Sequence, residues 1–339
     1  MVNSILNSAT AAAMIEKFES DFQAMSTPDN SFYLSFKGTT GNALTVNVPQ
    51  WLVDVSDLDA TAEGSAASPT LWAEKSIAVT AKKFRSKALV ISDWNEFFTS
   101  QSMRKDAMES LKAAMDTAIG NYAAYQLAKA ATVSSATDII FTTGTTTRTT
   151  EVSGSTATVK KIVKADILKV KEAMGKTNLT GKWNCLITPT ALSDLFEINE
   201  FVTANQLGEA QSRLLNGEFA EIMGIRFYQR SGKFNANFAF AQVKSPAANT
   251  LKDIYGVAGA ADTIDNSYVG GVLFWNENAA YFNRGISKIY ANEANALYQG
   301  DLISLQEGYG VEVIKTAGNT TSPVTNKPSG VIILEEKLN

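Results

Sequence analysis

Histidine is missing from this 339-residue chain, and cysteine occurs once. Histidine is the side chain that most readily moves protons near neutral pH, so histidine triads, histidine-ligated zinc and histidine general bases are excluded. A single cysteine forbids an intrachain disulfide, which fits folding in a reducing compartment. Cys185 sits in the apolar stretch Trp183-Asn-Cys-Leu-Ile187, without a histidine to activate it, and reads as a buried thiol packed as a small hydrophobe. No run of basic residues is present and the net charge is -4, so the patch of positive charge that grips phosphates is missing. Nucleic acid near this protein is therefore expected to be enclosed rather than bound by sequence. No apolar run approaches the roughly 18 residues needed to cross a bilayer. The segment Met1-Val-Asn-Ser-Ile-Leu lacks a basic signal region, and Glu16 is the first charged side chain. The chain is thus expected to be made in the cytoplasm as a soluble protein, without a membrane partner.

What is present supports a sizeable core, since 45% of the residues are hydrophobic. The most informative stretch lies between residues 44 and 131. An apolar strand, Leu44-Thr-Val-Asn-Val48, leads to a tip of small residues, Ala60-Thr-Ala-Glu-Gly-Ser-Ala-Ala-Ser-Pro69, and the chain returns along Ile77-Ala-Val-Thr-Ala81 to Val90-Ile91. Isolated two-stranded ribbons are marginal in water, so this excursion must rest on something, and the nearest candidate is another copy of the chain.

Upstream, Ile15, Phe18, Phe22 and Met25 recur at helical spacing, which predicts a helix over residues 8–25 stopped at Thr27-Pro28. Downstream, Asp93 and Glu96 have capping-box spacing for a short helix at Trp94, and Ser102 reads as the cap of a helix running to about Ala131. Met108, Leu111, Met115, Ile119, Tyr122 and Tyr125 form its apolar stripe. About thirty residues at 1.5 Å each make a rod of roughly 45 Å. Charges vanish between Asp116 and Lys129, so that half is expected to be covered on most sides, with Gly120 allowing close approach. Residues 132–158, rich in Thr, Ser and Gly around Gly144, read as a surface hairpin or loop at a domain boundary.

Beyond residue 160, helices and strands alternate. Asp166 opens a helix that Gly175 ends, Trp183 to Ile187 is a strand, and Thr188-Pro189 is a cap followed by a first-turn proline. Strands are expected at residues 225–228, 238–243, 272–275, 286–290, 302–306, 311–314 and 331–334, the last after a Thr/Asn/Pro/Ser linker. The fold class is α+β.

Three motifs resemble chemical sites. Gly175-Lys-Thr177 lacks the glycine five residues earlier that a phosphate loop needs, since Val170 is there. Ser102-Met-Arg-Lys105 matches a serine nucleophile motif without its companion elements, and reads as a helix cap. Asp54, Asp57, Asp59 and Glu63 form an acidic cluster without calcium-loop spacing, read as a solvated strand edge. Neither a cofactor nor a metal is expected, and no catalytic residue is assigned.

The order of these parts resembles the major capsid proteins of tailed bacteriophages, the Hong Kong 97-like fold. The resemblance rests on the excursion with Glu63-Gly64 at its tip, the return into Ser92-Asp93, the long helix, Leu186-Ile-Thr-Pro189, Glu221-Ile-Met-Gly-Ile-Arg-Phe227 and Gly308-Tyr-Gly-Val-Glu-Val-Ile314. It implies an N-terminal arm over residues 1–40 and an extended hairpin, the E-loop, over 41–91. A P-domain with its spine helix would span 92–158, completed by 286–316. An A-domain would follow over 159–285, then a C-terminal linker and strand over 317–339.

The function implied is that of a structural subunit assembling into pentamers and hexamers of an icosahedral shell around double-stranded DNA, built in the host bacterial cytoplasm. Its partners would be itself, a separate scaffolding protein, a portal and decoration proteins. Trp51, Glu63, Leu71, Trp72, Lys82, Lys83 and Arg85 are the candidate interface residues, the aromatic ones against a neighbour's apolar surface and the basic ones against its carboxylates. Trp51 and Trp72 have a second reading as core residues of their own subunit. Two other functions fit the same sequence: the shell of an encapsulin-type nanocompartment, and a hydrolase working through a carboxylate pair.

Overall fold

The computed structural model describes residues 31–41, 43–51, 74–92, 103–134, 138–152, 154–177, 179–198, 221–222, 224–230, 238–241, 250–253, 256, 261–263, 266, 268–295, 297–314 and 330–339. The expected helix over 8–25, the short helix at Trp94, the acidic cluster and the tip of the excursion lie outside these residues. In chain order, a 3-10 helix at Ser31–Leu34 precedes strands β1 (Lys37–Thr40), β2 (Thr45–Trp51), β3 (Glu74–Thr80), β4 (Lys82–Arg85) and β5 (Leu89–Ser92). Helix α1 (Met103–Ser134) leads to β6 (Ile139–Phe141), β7 (Thr147–Thr149) and β8 (Thr158–Lys160), then α2 (Lys164–Lys176), β9 (Trp183–Ile187) and α3 (Pro189–Phe196). Strands β10 (Glu221–Ile222), β11 (Ile225–Gln229), β12 (Phe238–Ala241), β13 (Thr250–Asp253), β14 (Tyr268–Val269) and β15 (Gly271–Asn276) follow. Two long strands, β16 (Ala280–Asn295) and β17 (Gly300–Val313), and a last one, β18 (Val331–Glu335), complete the α+β fold.

Two sheets flank α1. In the first, β1, β16, β17 and β4 are neighbours in that order, and β5 also pairs with β17. The second has the order β10-β11-β9-β15-β18-β6. Helix α1 touches β17 on one side and β15 and β18 on the other. Its C-terminal half is accordingly covered on most sides: Ile119, Tyr122, Ala123, Ala124, Leu127, Ala128 and Ala131 are buried, while Asn121, Tyr125 and Gln126 are half-buried. The expected stripe holds less well at the other end, where Met108 is exposed and Leu111 half-buried.

The 3-10 helix is fixed against α1, β15 and β17 by an aromatic knot. Phe32 packs edge-on against Trp275, Tyr33 edge-on against Tyr309, and Tyr309 in turn against Tyr122. Tyr309 donates its hydroxyl to the Tyr33 carbonyl at 2.9 Å, and Tyr33 donates to Asp116 Oδ1 at 3.2 Å.

Several local readings hold. Thr188 accepts a hydrogen bond from the Ala191 amide and Pro189 opens α3. Asp166 accepts from the Val163 amide at 3.2 Å at the start of α2. Cys185 is fully buried, and burial pushes its thiol well above the ordinary value.

Others are corrected. Gly175 lies inside the last turn of α2, whose cap is Thr177, and Lys176 pairs with Glu172 at 2.6 Å on an exposed face. The strands expected at 286–290, 302–306 and 311–314 are parts of two continuous strands, β16 and β17, which bridge Gly285, Gly308 and Gly310. The surface hairpin or loop expected over 132–158 holds in part: β7 and β8 form an antiparallel hairpin with exposed threonines, but Asp138, Thr142, Thr150, Val152 and Ala157 are buried and β6 is a parallel neighbour of β18 in the six-stranded sheet. A Cβ at Gly144 would stand 2.3 Å from the Lys161 carbonyl oxygen, so that glycine serves close packing rather than a turn. Strand β16 starts at Ala280, earlier than the strand expected at 286–290. The closing strand β18 lies between β15 and β6, and Val331 to Glu335 are all buried.

A buried ionic cluster ties these late additions together. Arg148, on β7, lies 2.9 Å from Asp194 of α3 and 2.7 Å from Glu336 just after β18. The Thr150 hydroxyl donates to Glu336 at 2.6 Å. The two carboxylates hold the Arg148 guanidinium protonated above its usual value, against the opposing effect of burial. Arg148→Met should leave both carboxylates buried without their cation and cost about 3–5 kcal/mol, read by chemical denaturation. A loss below about 1 kcal/mol would mean that the cluster is solvated.

The aromatic knot predicts an alkaline limit. Burial, then the neighbouring Asp116, pushes Tyr33 up from 10.0 to about 12, and burial also pushes Tyr122 and Tyr309 up. The unfolded chain ionises these phenols first, so their contribution is complete below pH 10 and declines as pH rises through 10 towards 12. Stability measured against pH should fall in that window, and Tyr33→Phe should flatten the fall.

Candidate interface surface

The excursion is an antiparallel ribbon. Strands β2 and β3 pair only with each other in the sheet topology, over the whole register from Thr45↔Thr80 to Trp51↔Glu74. Alternation assigns one face to Val46, Val48, Ile77 and Val79, and the other to Thr45, Asn47, Pro49, Ser76, Ala78 and Thr80. Of these, only Val79 is buried; Val46, Val48 and Ile77 are half-buried and the opposite face is exposed. The ribbon therefore has an amphipathic cross-section with its apolar face incompletely covered by its own chain.

Its root is firmly held. The Asn283 side-chain amide donates towards the carbonyls of Ala43, Leu44 and Val79 at 3.1, 3.3 and 3.4 Å. The Ala81 amide donates to the Leu44 carbonyl at 2.8 Å. Strand β3 crosses close over β17, where a Cβ at Gly310 would stand 2.3 Å from the Thr80 carbonyl oxygen. Glycine at 310 thus admits the crossing, and Asn283 locks it.

Of the predicted interface residues, Glu63, Leu71 and Trp72 lie outside the described residues. Trp51 is the last residue of β2 by backbone, and its side chain also lies outside. Lys82, Lys83 and Arg85 are on β4, paired with Tyr309, Gly308 and Gln306 of β17, and all three are exposed. The pleat separates them. Lys82 shares a face with Phe84, and its ammonium lies 5.5 Å from the Tyr122 ring and 6.0 Å from that of Phe84, so it is partly engaged in its own subunit. Lys83 and Arg85 share the opposite face.

A further apolar surface escaped the sequence reading. The turn joining β16 to β17 carries Leu297 and Tyr298, 80% and 50% exposed, and nearby strand positions Ile289, Tyr290, Leu89 and Val90 are exposed as well. Two large apolar side chains next to Gln299 and Gly300, in a turn where Gln299 takes a φ of 48°, were the available signal. Among the described residues, no group of three histidine, cysteine, aspartate or glutamate residues could hold a metal ion, and no helix is long and apolar enough to cross a membrane.

No protein-family model and no curated protein matches the sequence. Solved structures do match the fold. A chain of the capsid structure of the cyanophage P-SCSP1u aligns over 100% of this chain and 97% of its own, with 15% identity and a TM-score of 0.65. A chain of the mature capsid of bacteriophage PhiM1 aligns over 95% and 91%, with 10% identity and a TM-score of 0.60. One from the capsid of Ralstonia phage GP4 aligns over 96% and 97%, with 9% identity and a TM-score of 0.58. The chain has the phage capsid fold, the fold expected from the order of its elements.

If Asn283 locks the ribbon root, Asn283→Ala should cost about 1–3 kcal/mol. Amide exchange should accelerate across β2 and β3 and remain slow in β15 and β18. Equal acceleration in both regions would make Asn283 a general core residue instead.

Proposed function

We propose that this chain is a major capsid protein: the structural subunit of an icosahedral shell, assembling into hexamers and pentamers around packaged double-stranded DNA. The observation that carries this reading is the ribbon β2–β3, rigid at its root and with an apolar face that its own chain leaves half open. A monomeric enzyme gains nothing from such a projection. A shell subunit gains a lever that spreads association over many modest contacts. Full-length alignment with phage capsid chains supports the same reading.

In this reading residues 1–40 form the arm and 41–91 the E-loop. Residues 92–158, completed by 286–316, form the P-domain with α1 as its spine, residues 159–285 the A-domain, and residues 317–339 the C-terminal linker and strand. Lys83 and Arg85 meet carboxylates of a neighbour, and Trp51, Glu63, Leu71 and Trp72 complete the contact. DNA is enclosed without sequence-specific binding, consistent with a net charge of -4. A scaffolding protein, a portal and decoration proteins are the further partners, assembly takes place in the host bacterial cytoplasm, and the subunit is structural rather than catalytic.

Size-exclusion chromatography with negative-stain microscopy tests the proposal: capsomers or megadalton particles are expected, and a compact monomer at all concentrations would sink it. Deleting residues 60–74 should leave a cooperatively folded protein that no longer assembles. Normal closed particles from that deletion would remove the ribbon from the mechanism.

A further inference from the structure

The N-terminal half of α1 stands away from the sheet beneath it. Between them lies a groove of about 310 Å³, lined by Met108, Leu111 and Lys112 of the helix and by Arg284, Ile289 and Leu305 of the β16–β17 hairpin, among others. Its floor is apolar, with Ile303 and Leu305 buried, whereas Met108 and Ile289 remain 39% and 51% exposed at its lips. Farther along the same helix the corresponding face is fully covered. The groove is therefore an unfilled stretch of an otherwise closed helix–sheet interface.

The described chain starts at the end of this groove. Ser31 opens the 3-10 helix, and Tyr33 two residues later donates to Asp116, one turn beyond Lys112. Arg284 and Glu307, which line the groove and pair at 2.6 Å, also act electrostatically on Tyr33. From Asp116 to Met108 is eight residues, about 12 Å along the helix axis. Residues 25 to 31 reach about 20 Å when extended, so the preceding segment spans that distance with slack.

That segment has matching chemistry. Ile15, Phe18, Phe22 and Met25 fall on one face at helical spacing, and Glu16, Lys17 and Glu19 bring charges of both signs to meet Glu109 and Lys112 at the rim. At ~150 Å³ for each benzene-sized site, the groove has room for about two rings. A short tether raises the local concentration of the segment to about millimolar, an advantage that an untethered occupant lacks. We propose that the groove between α1 and the β16–β17 hairpin is the docking site of residues 8–25 of the same chain, which seat Phe18 and Phe22 against Met108, Leu111 and Ile289. The docked segment completes the helix–sheet interface and fixes the direction in which the chain leaves Ser31.

The chain is well suited to a disulfide test, because its one cysteine, Cys185, is fully buried. Full-length protein carrying Met108→Cys with Phe18→Cys, and separately with Phe22→Cys, is oxidised under mild conditions and run on a non-reducing gel. At least one pair should give a fast-migrating monomer cross-linked within one chain. Leu168→Cys with Phe18→Cys is the control, since Leu168 is 51% exposed on α2, and should not cross-link. A dimer band would assign the groove to another copy's arm, and no band, or equal cross-linking of the control, would also overturn the proposal.

A second measurement does not depend on oxidation. The Met108→Cys thiol should react with a small aryl reagent at least about tenfold faster when Phe18→Ser and Phe22→Ser are added, since the loss of even one of the two buried aromatic anchors is worth about that factor. An unchanged rate, in proteins whose thermal unfolding remains cooperative, would leave the groove without this occupant.

Discussion

The ladder between β16 and β17 is the constraint on which the rest of the molecule depends. Their pairing runs from Ala280↔Val313 to Asn295↔Gly300, with register shifts only near Gly285 and near the turn. Strand β1 lies parallel on the outer side of β16, β4 and β5 lie on the outer side of β17, and α1 packs across the face. The ribbon root crosses the same ladder at Gly310, and the aromatic knot closes on it through Tyr309. A two-stranded ribbon alone is marginal, whereas one rooted in a five-stranded sheet and clamped by Asn283 is held in direction. The projecting element is thus thin where it meets solvent and held firmly where it joins the body.

The legible parts of this fold were those in which one local interaction decides the outcome. Thr188 followed by Pro189 can only open a helix efficiently, and it does. The stretch between Asp116 and Lys129 contains no charge, and every residue in it is buried or half-buried. The apolar alternation of Val46, Val48, Ile77 and Val79 called for a ribbon, and the register pairs those residues. In each case the signal lay within a few residues of the element it specified.

The illegible parts were decided at long range. Gly308 and Gly310 resemble strand breaks in the sequence, yet they mark where other backbones come close: Gly308 faces Gly285, and Gly310 faces Thr80. Nothing near residue 308 announces a crossing strand 228 positions earlier in sequence. Residues 138–159 are polar in composition, yet Asp138, Thr142, Thr150 and Ser155 are buried among exposed neighbours, in a segment tied down where Thr150 and Arg148 meet Glu336 and Asp194 and Thr143 meets Asp166. Polar composition reads as exposure only when such partners are out of sight. Of the candidate interface residues, the basic ones on β4 are exposed, but the pleat that turns Lys82 towards Tyr122 and leaves Lys83 and Arg85 facing the other way is set by the register with β17.

The strand order of the six-stranded sheet adds a constraint of its own. Strand β18, contributed by the last residues of the chain, lies between β15 and β6, and β6 has no other strand neighbour among the described residues. Its five residues bring four apolar side chains into the core, and Glu336 immediately afterwards completes the cluster around Arg148. The hydrogen bonds of β6, the burial of Ile332 and Leu334 against the α2 side, and the neutralisation of Arg148 therefore arise together, from one short segment. Cooperativity between the two sheets follows from the same geometry, because α1 is covered on one side by β17 and on the other by β15 and β18. A chain missing this last strand would lack part of one wall of α1, and the ribbon rooted in the opposite wall would lose some of the rigid body against which it bears.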